Sequence, residues 1–135
     1  MSELEPRLPA NALTAGVSGD GPFDAAIADF AAAVVLASSV DPLTTELVRL
    51  RCAQIHDCRL CGSLRNREAL DAGFDEALQQ KIARYESSDL GPEQVAALKL
   101  CDAMILTPSL ANAELRAELA QHLSPEQIAE IMLDV

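Results

Sequence analysis

The residues of this 135-residue chain best placed to do chemistry are the thiols of Cys58-Arg59-Leu60-Cys61. A C-x-x-C pair at the start of a helix suits redox work. The spacing brings the two sulfurs close enough to bridge, and a helix N-terminus stabilises a thiolate. An ordinary thiol with a pKa near 8.5 is only about 3% ionised at neutral pH, so a downward shift of about two units makes most of it nucleophilic. The same four residues also admit two other readings, a pair of core cysteines or half of a zinc site. A closed zinc site needs four ligands, and no second C-x-x-C follows. His56 and His122 are the chain's two histidines. His56 adjoins the thiols, and His122 reads as a surface residue favouring a helix C-terminus. Cys52, near Val48 and Ile55, and Cys101, among Ala97, Leu98 and Ile105, read as core cysteines.

The elements that must position the pair are helical. Asp41-Pro42 reads as an N-cap acid followed by proline at the first helical position, opening a helix to about Ile55. Its apolar residues point in nearly every direction, as in a helix buried in a domain or in an oligomer. Glu46 projects among them between Leu50 and Ala53, and an acid there needs a partner. Asp57 is the expected N-cap of a helix over about 58–72, stopped by Gly73 at C′. On that helix Arg65 projects between the directions of Cys58 and Cys61, where its charge would favour either thiolate. Helices are further expected at about 23–36, 75–85, 92–106 after Gly91-Pro92, 113–122 after Asn112, and after the capping box Ser124-Pro125-Glu126-Gln127. The apolar residues Ile128, Ile131, Met132 and Val135 mark one face of the last. No β-branched alternation survives, so the fold class is all-α. Residues 1–21, rich in Pro and Gly, read as an extended or mobile arm, and 22–135 as one domain.

Composition narrows the function further. The net charge of −11 argues against nucleic-acid and anionic-membrane partners. The charge is uneven. Positions 46–67 hold five arginines (49, 51, 59, 65 and 67) against Glu46 and Asp57, a local +3 that leaves −14 for the rest. This is either ordinary helix-surface arginine or a locally positive site. The N-terminal residues lack the basic start and apolar run of a targeting segment, and no stretch reaches the ~20 apolar residues of a membrane span. A cytoplasmic protein is expected, in which thiols stay reduced unless they are working ones.

The stretch from Thr45 to Gly73, TELVRLRCAQIHDCRLCGSLRNREALDAG, resembles the core motif of the carboxymuconolactone decarboxylase and alkylhydroperoxidase D-like (AhpD-like) family. That motif is a helical Glu, eleven residues, C-x-x-C, three residues, a His, and an Ala-Gly helix end. The resemblance implies an all-α AhpD-like helical bundle that forms a homo-oligomer; no residue pattern in the sequence calls for a cofactor or a metal. It implies a hydroperoxide or disulfide substrate and a dithiol reductant protein as partners. It assigns attack on peroxide to Cys61 and resolution to Cys58. Two positions depart from the pattern. Arg65 stands where the family has His, and Leu60 where a His sometimes separates the cysteines. In the family, Glu and His relay a proton. Arg cannot, because it stays charged. The expectation is therefore a Glu46–Arg65 ion pair in place of the relay, with His56 or water as acid for the leaving hydroxide. The decarboxylase branch, acting on a carboxylated lactone, typically lacks the C-x-x-C pair. A binding or structural member without turnover is the third possibility.

Overall fold

In a computed structural model the chain is described from Gly21 to Val135, and the arm expected over residues 1–21 lies outside the described residues save for Gly21. The chain divides into two units, one ending at Leu36 and the other spanning Ala37–Val135. The first contains helix α1, Pro22–Val35, which has proline in its first turn and places Phe23, Ile27 and Phe30 at helical spacing. The second is built from α2 (Pro42–Ile55), α3 (Arg59–Ser63), α4 (Arg67–Asp71), α5 (Glu76–Lys81), a 3₁₀ segment Ile82–Ser87, α6 (Pro92–Ile105), a short 3₁₀ turn Pro108–Leu110, α7 (Ala113–His122) and α8 (Pro125–Asp134). No strand occurs among the described residues, so the all-α class holds. No described helix is long and apolar enough to cross a membrane.

Helix α2 starts where Asp41 accepts hydrogen bonds from the N–H groups of Leu43 (3.0 Å) and Thr44 (3.1 Å), which satisfies two of the orphan donors of a first turn. The helix is apolar all round because it separates two cores. Val48 joins Leu100, Cys101 and Ile131 on one side, while Leu47 and Leu50 join Phe74, Ile82 and Leu98 on the other. Helix α6 is shared between the same cores, and the α2–α6 crossing is also polar. Arg51 donates from Nε (2.7 Å) and a terminal nitrogen (2.9 Å) to the two oxygens of Asp102, and Tyr85 Oη donates to the same carboxylate at 2.8 Å. The Arg51 guanidinium lies 5.5 Å from the Tyr85 ring centroid. Glu130 on α8 is buried, and its oxygens accept the N–H groups of Ser39 (2.7 Å) and Val40 (3.2 Å). The last helix thereby pins the segment leading into α2, and its own acid is satisfied.

The capping signals read from the sequence are present at Asn112, whose side chain accepts Leu115 N–H, and at Ser124-Gln127, where side chain and backbone exchange two hydrogen bonds. Two expected helices are revised. The segment 75–85 is α-helical only to Lys81 and then tightens to 3₁₀, with a break at Arg84 (φ −135°, ψ 40°). The segment 58–72 is two short helices. Leu64 turns extended (φ −80°, ψ 153°) and Asn66 restarts the chain as the N-cap of α4, accepting Glu68 N–H at 2.9 Å.

Candidate redox site

The thiol pair is placed by the way α2 ends. His56 is the last cap residue, and Asp57 takes a left-handed conformation (φ 49°). Cys58 N–H then reaches back to Ala53 O at 2.9 Å and Asp57 N–H to Gln54 O at 3.3 Å, the paired bonds of a Schellman ending. Asp57 is therefore the residue that stops α2, and the N-cap of α3 is Cys58 itself: its Sγ accepts Cys61 N–H at 3.2 Å. Adjacent residues thus end the long helix and open the short one, and Cys58 bonds to both, through its N–H to Ala53 O and through its sulfur to Cys61 N–H.

Cys58 and Cys61 are joined as a disulfide with their Cα atoms 5.3 Å apart, within the usual span for such bridges. Both are half-buried, while Leu60 between them and His56 just before them are exposed. The pair is thus partly open to solvent, with exposed residues beside it.

Glu46 is wholly buried beneath this turn, and its partner is Arg49 rather than Arg65. Arg49 grips the carboxylate with two hydrogen bonds, Nε to one oxygen at 2.8 Å and a terminal nitrogen to the other at 2.7 Å. Its remaining donors reach Cys61 O and Leu64 O, both at 2.7 Å. Arg49 therefore fastens the end of α3 to α2 through a buried anion, and its guanidinium pKa is raised by the hydrogen bonds to Glu46. The expected Glu46–Arg65 pair is absent because the chain leaves the helix at Leu64, which turns Arg65 off the direction a continuous helix would give it. Arg65 instead donates to Gly62 O (2.7 Å) and Leu64 O (2.6 Å) and to the Gln79 side chain on α5. It lies on the wall of an open cleft of about 400 Å³ shared with Phe74 and Gln79.

Arg49 was the functional position hardest to single out from sequence. Its one signal was the i,i+3 spacing from Glu46, at which side chains on a helix meet. A second feature also escapes sequence reading. Cys52 on α2 and Cys101 on α6 place their Sγ atoms 3.5 Å apart. Cys101 lies in the core as expected, whereas Cys52 is half-buried against it. Among the described residues, no cluster of three or more His, Cys, Asp or Glu side chains is placed to hold a metal ion.

No family model matches the chain. Uncharacterized proteins of Mycobacterium tuberculosis, from strains CDC 1551 and H37Rv, are each 40% identical over 107 residues, which is 78% of this chain and 38% of theirs. The chain thus spans well under half the length of these mycobacterial relatives. The uncharacterized protein YdfG of Bacillus subtilis strain 168 is 29% identical over 98 residues, covering 71% of this chain and 67% of its own. Fold and site together define an all-helical protein with a C-x-x-C pair at disulfide distance, an arrangement compatible with a redox role.

Proposed function

We propose that this chain is a thiol-dependent oxidoreductase of the AhpD-like type, an enzyme that reduces hydroperoxides or exchanges disulfides through Cys58 and Cys61. The observation that carries this reading is the disulfide formed across a helix N-cap, half-buried and framed by exposed residues. In the reductive half of the cycle, a dithiol protein transfers two electrons and two protons to the bridge and leaves both thiols free. In the oxidative half, the Cys61 thiolate attacks a hydroperoxide oxygen. The O–O bond breaks, the alcohol leaves with a proton taken from water or from exposed His56, and Cys61 becomes a sulfenic acid. Cys58 then attacks that sulfur, expels water and restores the bridge. The N–H of Cys61 stabilises negative charge on the Cys58 sulfur, which assists its departure when a reductant opens the bridge.

Glu46 and Arg65 act here as positioning residues. Glu46 works through Arg49, which holds the Cys61 carbonyl, and Arg65 ties the following turn to α5. The cycle requires no cofactor. The setting is the cytoplasm, and the working form is a homo-oligomer. Burial of α2 within its own unit accounts for that helix, so the oligomer rests on the exposed apolar side chains Leu60, Leu64, Leu70, Met132 and Leu133.

Peroxide consumption with a dithiol reductant tests the activity. Wild type should turn over, and Cys61→Ser should not. Treated with peroxide without the reductant, Cys58→Ser should stop after one attack, with a sulfenic acid on Cys61 that dimedone traps. Unchanged turnover in Cys61→Ser would overturn the assignment. Light scattering tests the assembly: a mass near the 14.4 kDa of one chain at micromolar concentration would exclude the oligomer.

A further inference from the structure

The crossing of α2 and α6 is marked by two adjacent pairs, Arg51 with Asp102 and Cys52 with Cys101. The ion pair fixes the two helices against each other through two hydrogen bonds, so the neighbouring sulfurs are held in register rather than meeting by chance fluctuation. Their 3.5 Å separation is van der Waals contact, about 1.5 Å longer than an S–S bond.

We propose that Cys52 and Cys101 are a second oxidisable thiol pair, which a hydroperoxide converts to a disulfide linking α2 to α6.

The two thiols are unequal in ways that assign their roles. Cys52 is half-buried and open to a small oxidant, whereas Cys101 has no exposed surface. Cys52 touches Cys101 and lies within the fields of the Arg49 guanidinium and the Asp134 carboxyl. The contact with Cys101, aided by Arg49, lowers the Cys52 pKa against burial and the charge of Asp134, and the same contact, together with burial, raises that of Cys101. Cys52, the sulfur a peroxide can reach, is the attacking one. Its thiolate attacks the peroxide, the O–O bond breaks, the alkoxide or hydroxide released takes a proton from water, and Cys52 becomes a sulfenic acid. Cys101 then attacks the Cys52 sulfur, the S–O bond breaks, and water leaves with the Cys101 proton. The two thiols lose two electrons in all, and the peroxide gains them.

This inference does not rest on the activity proposed for Cys58 and Cys61, and its test removes those residues. The full chain carrying Cys58→Ser and Cys61→Ser retains only Cys52 and Cys101. Treated with equimolar hydrogen peroxide, it should lose both free thiols and two hydrogens of mass. Non-reducing digestion should yield a single cross-linked peptide pair containing Cys52 and Cys101, reversed by dithiothreitol. With Cys101→Ser added, dimedone should label Cys52. With Cys52→Ser added instead, Cys101 should stay unlabelled. Two free thiols after treatment, bridges between chains in place of the internal one, or preferential labelling of Cys101 would overturn the proposal. Should the double variant fail to fold, digestion of peroxide-treated wild type under non-reducing conditions gives the same reading. A Cys52–Cys101 peptide beside the Cys58–Cys61 bridge supports the proposal, and free Cys52 and Cys101 beside that bridge overturn it.

Discussion

Replacing Arg49 by alanine would strip the buried Glu46 carboxylate of both its charged hydrogen bonds and free the carbonyls of Cys61 and Leu64. Removing one partner of a buried ion pair costs about 3–5 kcal/mol, and the partial exposure of Arg49 places the expected loss toward the lower end. Urea unfolding of wild type, Arg49→Ala and Arg49→Lys measures it. Lysine keeps the charge but cannot make the two-pronged contact, so its loss should be intermediate. Arg65 calls for the opposite expectation. Its guanidinium is committed to two carbonyls of its own turn and to Gln79. Arg65→Ala should therefore cost about 1 kcal/mol of stability and leave the pH dependence of thiol alkylation in place. An alkylation profile moved up by about a unit would instead give Arg65 an electrostatic role on the thiols. At this scale the sequence made plain that Glu46 needed a partner. It did not disclose which arginine served, since that depends on where the helix behind the cysteines breaks.

That break shows how much of the elements was legible. Caps made by one side chain on its own helix, as at Asp41, Asn112 and Ser124, can be read locally, because donor and acceptor lie within a few residues. The 58–72 segment contains no proline, and its local signal was Asn66 followed by Arg67-Glu68, a cap in the middle of an apparently continuous helix. What favours the break is non-local: Arg49 accommodates the Leu64 carbonyl that leaves the helix, and Gln79 accommodates Arg65. Two left-handed residues bracket the site, Asp57 (φ 49°) before it and Gly73 (φ 98°) after it. Gly73 has open space where a Cβ would stand, so Gly73→Ala is opposed by backbone conformation alone, about 1 kcal/mol. Asp57→Val should cost about 1–2 kcal/mol and loosen the link between α2 and the thiol pair, since a β-branched residue resists that conformation. Asp57→Gly should keep stability within a few tenths of a kcal/mol of wild type or raise it. Denaturant midpoints of the three variants check this ordering.

Across the whole chain, the arginine-rich stretch within an acidic sequence resolves into mostly structural contacts. Arg49 binds Glu46, Arg51 binds Asp102 and Arg65 binds the Gly62–Leu64 turn, which leaves Arg59 and Arg67 exposed. The sequence showed the excess of positive charge but not its direction, because Arg49, Arg51 and Arg65 also reach groups distant in the sequence: the Cys61 and Leu64 carbonyls, Asp102 and Gln79. The acids are unequal too. Asp134 at the end of α8 is half-buried, and its carboxyl is pushed up to about 6 by burial and by the nearby charge of Glu130. In the unfolded chain an aspartate titrates near 3.9. Between these two values the folded protein holds a proton that the unfolded chain has lost, so this group's contribution to stability is complete below about pH 4 and disappears as pH rises through about 6. Asp134→Asn makes the side chain neutral at every pH. The variant should match wild type at pH 4 and exceed it at pH 7 by about 1 kcal/mol, a figure reduced from the full shift because solvent screens a partly exposed group. Urea midpoints of both proteins at pH 4, 5.5 and 7 measure the difference. A gap that stayed constant across that range would show that Asp134 titrates as an ordinary surface acid.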